Sequence, residues 1–153
     1  MLIMLLSIKK GKWCFIMTNE LLKKTENFIK DEDTAVLSSI DENGYPRTAA
    51  MSSIKTEGIK TIWFSTGTNS HKAKNLKRNC KASVCYYATG SNITLIGEVA
   101  IVEDMDIKKQ LWVDWFIEHF PLGVTDPNYC ILKFETKYIQ VWLEGNFEEF
   151  YLD

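Results

Sequence analysis

The densest set of groups able to grip an anion lies in residues 63–76, WFSTGTNSHKAKNL. An apolar strand would deliver Ser65 and Thr66 to its end, residues 67–69 would make a turn, and Ser70 stands as the N-cap of a helix that carries His71 and Lys72 in its first turn. A helix start leaves backbone N–H groups unpaired and carries partial positive charge, so it draws an anion. The Thr66 and Ser70 hydroxyls and the Lys72 ammonium add donors around the same point, and the stretch reads as a phosphate cradle. Strand, turn and capped helix are also ordinary architecture, so the remaining chain has to decide between the two readings.

The elements that position the cradle can be read in order. Residues 19–30 place Leu21, Leu22, Thr25, Phe28 and Ile29 on one face of an amphipathic cover helix capped by Thr18 or Asn19. Residues 33–40 and 47–55 read as strands joined by a two-residue hairpin at Asn43-Gly44. The second strand is unusual in carrying Ala49, Ala50, Ser52 and Ser53 where large apolar residues are expected, which leaves room above it for a flat ligand or a packed helix. Arg47 at its start either reaches a phosphate or sits in solvent.

After a turn at Glu57-Gly58, residues 59–66 feed the cradle, whose short basic helix spans 70–78. Strands at 82–88 and 92–102 form a second hairpin, with Gly97 marking a bulge or a barrel corner. A long helix is expected over 104–120, closed by Pro121, with Leu111, Trp112, Trp115, Phe116 and Phe120 forming a stripe read as core or subunit interface ahead of ligand contact. Closing strands at 129–135 and 138–143 precede a short acidic tail. Six to seven strands, mostly joined by hairpins, predict an α+β, mainly β fold: a closed or partly closed antiparallel barrel with flanking helices. Strict β-α alternation is absent, which disfavours a doubly wound parallel sheet.

At 153 residues and a net charge of −2, with no basic block, the chain offers no nucleic-acid surface; a small molecule or a protein is the expected partner. Its four cysteines lack CxxC spacing and only His71 and His119 accompany them, so no metal site is expected, and Cys85 and Cys130 fall in apolar runs as small hydrophobes. The first sixteen residues differ in character from the rest of the chain. Their apolar run is too short to span a bilayer and lacks the flanks of a signal peptide, so a cytoplasmic protein is expected. Met17 opens a clean helix start, so residues 1–16 are read as a non-native extension and 17–153 as one domain.

In their order and spacing, DENGYPRTAAM, FSTGTNSHKAKNLKRN, NITLIGEVAIV and LWVDWFIEHFPLGVTDPNYCILKFETKYIQVW resemble the pyridoxamine 5′-phosphate oxidase-like superfamily of FMN-binding split barrels, within it the general stress protein branch. The resemblance covers about residues 19–142. It implies FMN as cofactor, its phosphate held by Arg47, Ser65, Thr66, Ser70 and Lys72, with Thr48, Ala49, Ala50, Met51 and Ser52 lining the flavin. His71 replaces an arginine frequent beside that lysine. The resemblance further implies a homodimer with FMN at the subunit interface, Asn92 lent by the second subunit, and Trp142 near the isoalloxazine.

The function implied is a flavin-dependent oxidoreductase or reductase with a small-molecule acceptor. The alternatives are a non-catalytic flavin-binding stress or redox-buffering protein, and a split barrel using deazaflavin or haem. Pyridoxamine phosphate oxidases of the family carry a C-terminal extension that grips the substrate phosphate, and this sequence reads GNFEEFYLD at that point, so vitamin B6 oxidation is not expected.

Overall fold

The structure is a computed structural model that describes residues 7–9, 12–14 and 17–152. Strands β1 (Ser7–Lys9) and β2 (Lys12–Cys14) pair antiparallel with each other. The rest of the segment expected to be a non-native extension, 1–6, 10, 11, 15 and 16, lies outside the described residues. Helix α1 (Asn19–Asp31) starts where Thr18 accepts the Leu21 N–H at 3.2 Å, and it buries Thr25 and Ile29.

Seven further strands form one sheet: β3 (Thr34–Ile40), β4 (Pro46–Glu57), β5 (Thr61–Gly67), β6 (Lys81–Ala88), β7 (Ser91–Val102), β8 (Tyr129–Leu143) and β9 (Asn146–Tyr151). Their order is β5-β4-β3-β6-β7-β8-β9, and β5 also pairs with β8. The result is the expected antiparallel barrel: six strands close on themselves, β9 is added outside β8, and helices flank it. Strand side chains alternate faces, so one face of each strand supplies the core, including Leu37, Phe64, Val84, Leu95, Leu132 and Ile139. Ile29 of α1 and Leu76 of α2 (His71–Arg78) join the same core.

Closure depends on Gly97. A Cβ there would overlap the Glu135 carbonyl oxygen and stand 2.9 Å from its carbon and 3.1 Å from the Thr136 Cα. The register between β7 and β8 shifts between Ile96 and Gly97, as the mid-strand glycine predicts.

Several local expectations are corrected. The two closing strands are one 15-residue strand, β8, because no turn residue interrupts Glu135-Thr136-Lys137; its first half pairs with β5 and its second with β9, while β7 runs along both. The acidic tail contains β9, whose Phe150 enters the core. The chain reverses into it at Glu144-Gly145, with φ of 53° and 79°, the signature of a two-residue type I′ turn. At Asn43-Gly44, by contrast, the flanking partners are Ile40 and Pro46. The Asp41 carboxylate accepts the N–H groups of Asn43 and Tyr45, both at 2.9 Å, and organises a longer loop.

The long helix over 104–120 is broken. Asp104 caps α3 (Met105–Gln110), Val113 is extended, and a 3-10 turn follows at Asp114–Glu118. A straight helix would hold Trp112 and Phe120 about 12 Å apart along its axis. Both rings instead pack on Tyr129, with centroids 5.2 and 5.0 Å away, so burial over Trp63, Tyr129 and Ile131 overrides helical continuity.

Candidate cofactor cleft

The barrel is split where β4 leaves β5. The last pair before the split is Ser53 with Phe64, next to a bulge in β4. Beyond it Pro46–Ser52 pairs with β3, and Ser65, Thr66 and Gly67 pair with β8. A cleft of about 920 Å³ opens between them.

One end of the cleft is the cradle. Ser70 caps α2, its Oγ accepting the Ala73 N–H at 3.2 Å and lying 3.2 Å from Thr66 Oγ1. The Ser70 N–H donates to Gly67 O at 3.0 Å, which closes the turn. Asn128, absent from the sequence expectation, clamps this turn from the far side. Its carbonyl oxygen accepts the Thr68 N–H at 2.7 Å, and its Oδ1 accepts the Asn69 N–H and the Thr68 hydroxyl, each at 3.2 Å. Gly67 is needed for this approach, because a Cβ would come within 2.9 Å of Asn128 Nδ2. Behind the cradle, Asn75 Nδ2 donates to Ser39 Oγ at 3.1 Å and ties α2 to β3.

Cys130 lies buried beneath Thr66 and its thiol donates to the Thr66 carbonyl at 3.4 Å. Burial pushes that thiol up to about 11, so it stays protonated and keeps the bond at neutral pH. Lys72 is the only Lys or Arg lining the cleft and forms no ion pair among the described residues.

Small residues make the second wall. Ala50 and Ser52 of β4 are exposed along it, and Ser53 stands at its deep end. Ser53 Oγ shares a 2.6 Å hydrogen bond with the hydroxyl of Tyr86, which is fully buried. Burial raises the Tyr86 phenol to about 12, so it is a neutral partner throughout the ordinary pH range. The third wall is aromatic: Trp115, Phe116, His119 and Phe120, with Val113. Phe116 and Phe120 are buried, whereas Trp115 is 50% exposed.

Of the expected site residues, Ala50, Met51, Ser52, Ser65, Thr66, Ser70 and Lys72 line the cleft together. Arg47, Thr48, Ala49 and His71 do not line it. The Arg47 side chain is 62% exposed and lies 3.7 Å from the Asp41 carboxylate. Asn92 and Trp142 are cross-strand partners elsewhere on the barrel, in an exposed row continued by Tyr87 and Phe147. Sequence reasoning did not single out Asn128 or Ser53 as site residues, and it read Trp115 and its neighbours as a packing stripe ahead of ligand contact, whereas Trp115, Phe116 and Phe120 line the cleft.

Together, a six-stranded split barrel and a Ser70-capped strand-to-helix turn at its opening define the class. The family model for pyridoxamine 5′-phosphate oxidase matches residues 21–143, and the chain belongs to that family. No curated protein matches it. Among solved structures it is similar to a Clostridium acetobutylicum protein related to general stress protein 26 of Bacillus subtilis, at 27% identity and TM-score 0.81, covering 90% of this chain and 98% of that one. It shares its fold with general stress protein 26 of Bacillus anthracis, at 24% identity and TM-score 0.73, covering 87% and 99%. A haem-binding protein of Mycobacterium smegmatis shares the fold at 10% identity and TM-score 0.70, covering 89% and 60%. No described helix is long and apolar enough to cross a membrane.

Proposed function

We propose that the cleft binds FMN and that the protein is a flavin-dependent oxidoreductase or reductase, acting in the cytoplasm as a homodimer on a small-molecule acceptor. The observation that carries this reading is the cradle: Thr66, Ser70 and Lys72 converge at a helix start on one cleft, beside a strand that exposes Ala50 and Ser52 to it. A phosphate with about two negative charges is best held by converging charge-assisted hydrogen bonds. Lys72, the Ser70 and Thr66 hydroxyls and the open N–H groups of α2 form such a donor set. The flat surface of β4 leaves space for a ring system beside it.

Bound there, the flavin would supply hydride or electron transfer at its N5, and no acid–base dyad is required of the protein. The chain's own residues hold the phosphate, present β4 to the ring and limit access of water from the aromatic side. Arg47, Thr48, Ala49 and His71 extend the phosphate and ring contacts in this reading. Asn92 and Trp142, exposed and away from the cleft of their own chain, are suited to completing the site of a second copy.

A haem reading is favoured by one observation, since His119 lines the cleft and would supply a ring nitrogen to hold a haem iron there. An absorbance spectrum followed by titration with FMN, deazaflavin and haemin separates the two. Saturation at one FMN per subunit with flavin bands is expected; a Soret band on haemin addition without FMN binding overturns the flavin reading. With FMN bound, reduced protein that passes electrons to added acceptors faster than free FMN identifies an enzyme, and slower transfer identifies a flavin-buffering protein.

A further inference from the structure

The aromatic wall of the cleft is not used by the phosphate cradle, and its chemistry differs from the rest of the site. Trp115 lines the cleft half exposed, although its ring is fixed by two neighbours. Phe116 stands nearly perpendicular to it with centroids 4.6 Å apart, and His119 nearly perpendicular at 5.7 Å. Phe116 is in turn held by Tyr129 and Trp112 in the second core, so the wall is a rigid platform and not a loose loop. An exposed aromatic surface inside a concave site marks a place where a ligand completes the burial.

Two further features narrow the ligand. Neither the Trp115 indole N–H nor the His119 ring has a hydrogen-bond partner among the described residues, so both can donate to a ligand oxygen. The wall itself carries no lysine, arginine or carboxylate, and the cleft's one lysine is at the cradle end. An anionic second ligand would find no counter-charge on this wall, whereas a planar neutral ring bearing acceptor oxygens finds both stacking surface and donors.

We infer that Trp115 and His119 form a second subsite in the cleft, for a planar, uncharged conjugated ring carrying carbonyl oxygens, a quinone-type molecule. This rests on the flavin reading for its use as an acceptor, but not for its binding. Trp115 supplies ring contact and an N–H, and His119 a hydrogen bond to a carbonyl oxygen.

The test is calorimetric binding of duroquinone, whose fully substituted ring cannot add a cysteine thiol, to the protein with and without FMN, alongside FMN titration of the same variants. Trp115→Ala is expected to weaken duroquinone about tenfold, the scale of one lost aromatic contact and one hydrogen bond, with FMN affinity unchanged. Trp115→Phe keeps the ring and the packing on Phe116, and should recover part of that loss. His119→Ala should weaken duroquinone similarly. Equal duroquinone affinity in wild type and all three variants overturns the subsite while leaving the flavin reading intact. Loss of FMN binding in Trp115→Ala, with duroquinone and FMN competing, also overturns it, because the wall would then hold the flavin ring itself. Failure of FMN to bind the wild type, with duroquinone still bound through Trp115, defeats the flavin reading and supports the subsite.

Discussion

Gly67→Ala should damage the cradle while keeping all three proposed phosphate-holding side chains, Thr66, Ser70 and Lys72. A Cβ at 67 would lie 2.9 Å from Asn128 Nδ2, 3.0 Å from its Oδ1 and 3.0 Å from Asn69 Oδ1. Those distances are too short for a methyl group, so the Asn128 amide must move by a few tenths of an ångström. Its Oδ1 is the acceptor for both the Asn69 N–H and the Thr68 hydroxyl, each already at 3.2 Å, and further displacement breaks both. Two hydrogen bonds at about 1 kcal/mol each give a loss of about 2 kcal/mol. For a chain of this size that corresponds to a fall in Tm of about 4–8 °C.

If the loosened turn also has to be re-ordered around a phosphate, FMN affinity should drop by roughly tenfold. Asn128→Ala removes the same bonds without the added methyl and should reproduce both effects. The double variant should be no worse than either single change, because the same bonds cannot be lost twice. Thermal unfolding and FMN fluorescence titration of the three variants measure this. A Gly67→Ala protein with wild-type Tm and affinity, or strictly additive losses in the double variant, would refute the reasoning.

Other changes test the frame around the cleft. Gly97→Ala forces a Cβ against the backbone of β8, which cannot yield as a side chain does; a loss of about 3 kcal/mol is expected by urea unfolding, and a loss below about 1 kcal/mol would contradict the bulge. Tyr86 has its phenol raised from 10.0 to about 12, so its contribution is complete below pH 10 and is lost as pH rises through 12. Two units correspond to about 3 kcal/mol, and Tyr129, raised in the same direction, adds to the alkaline loss. Tyr86→Phe should therefore cost about 1 kcal/mol at pH 7 for its bond to Ser53, yet show a shallower decline in urea midpoint between pH 10 and 12. An identical alkaline decline in the variant would contradict the assignment.

How much of the fold and the cleft was legible in the sequence depends on how local each cause is. Ser70 as a cap, the Ser65-Thr66 strand end and the bulge at Gly97 depend on short-range rules, and each appears in the structure where those rules put it. Asn128 was not legible, because its role arises when β8 is laid against β5 and Gly67 comes opposite Tyr129. The break after Gln110 was hidden for a similar reason: its periodicity fits a helix, and only Tyr129 and Ile131 reveal what those rings must cover. The Glu144-Gly145 turn was readable in principle, but an acidic neighbourhood, Glu144, Glu148 and Glu149, masked a strand that buries only Phe150. Asn43-Gly44 carried the stronger hairpin signal, and Asp41 redirected it.

The central claim is that the start of α2 holds a phosphate, and comparing FMN with riboflavin tests it most directly, since the two differ only in that group. Titration of wild-type protein and Lys72→Ala with both should show wild type preferring FMN by about 100-fold, the worth of two charge-assisted hydrogen bonds, and most of that preference lost in the variant. Riboflavin binding as tightly as FMN, or an undiminished preference in Lys72→Ala, would contradict the account.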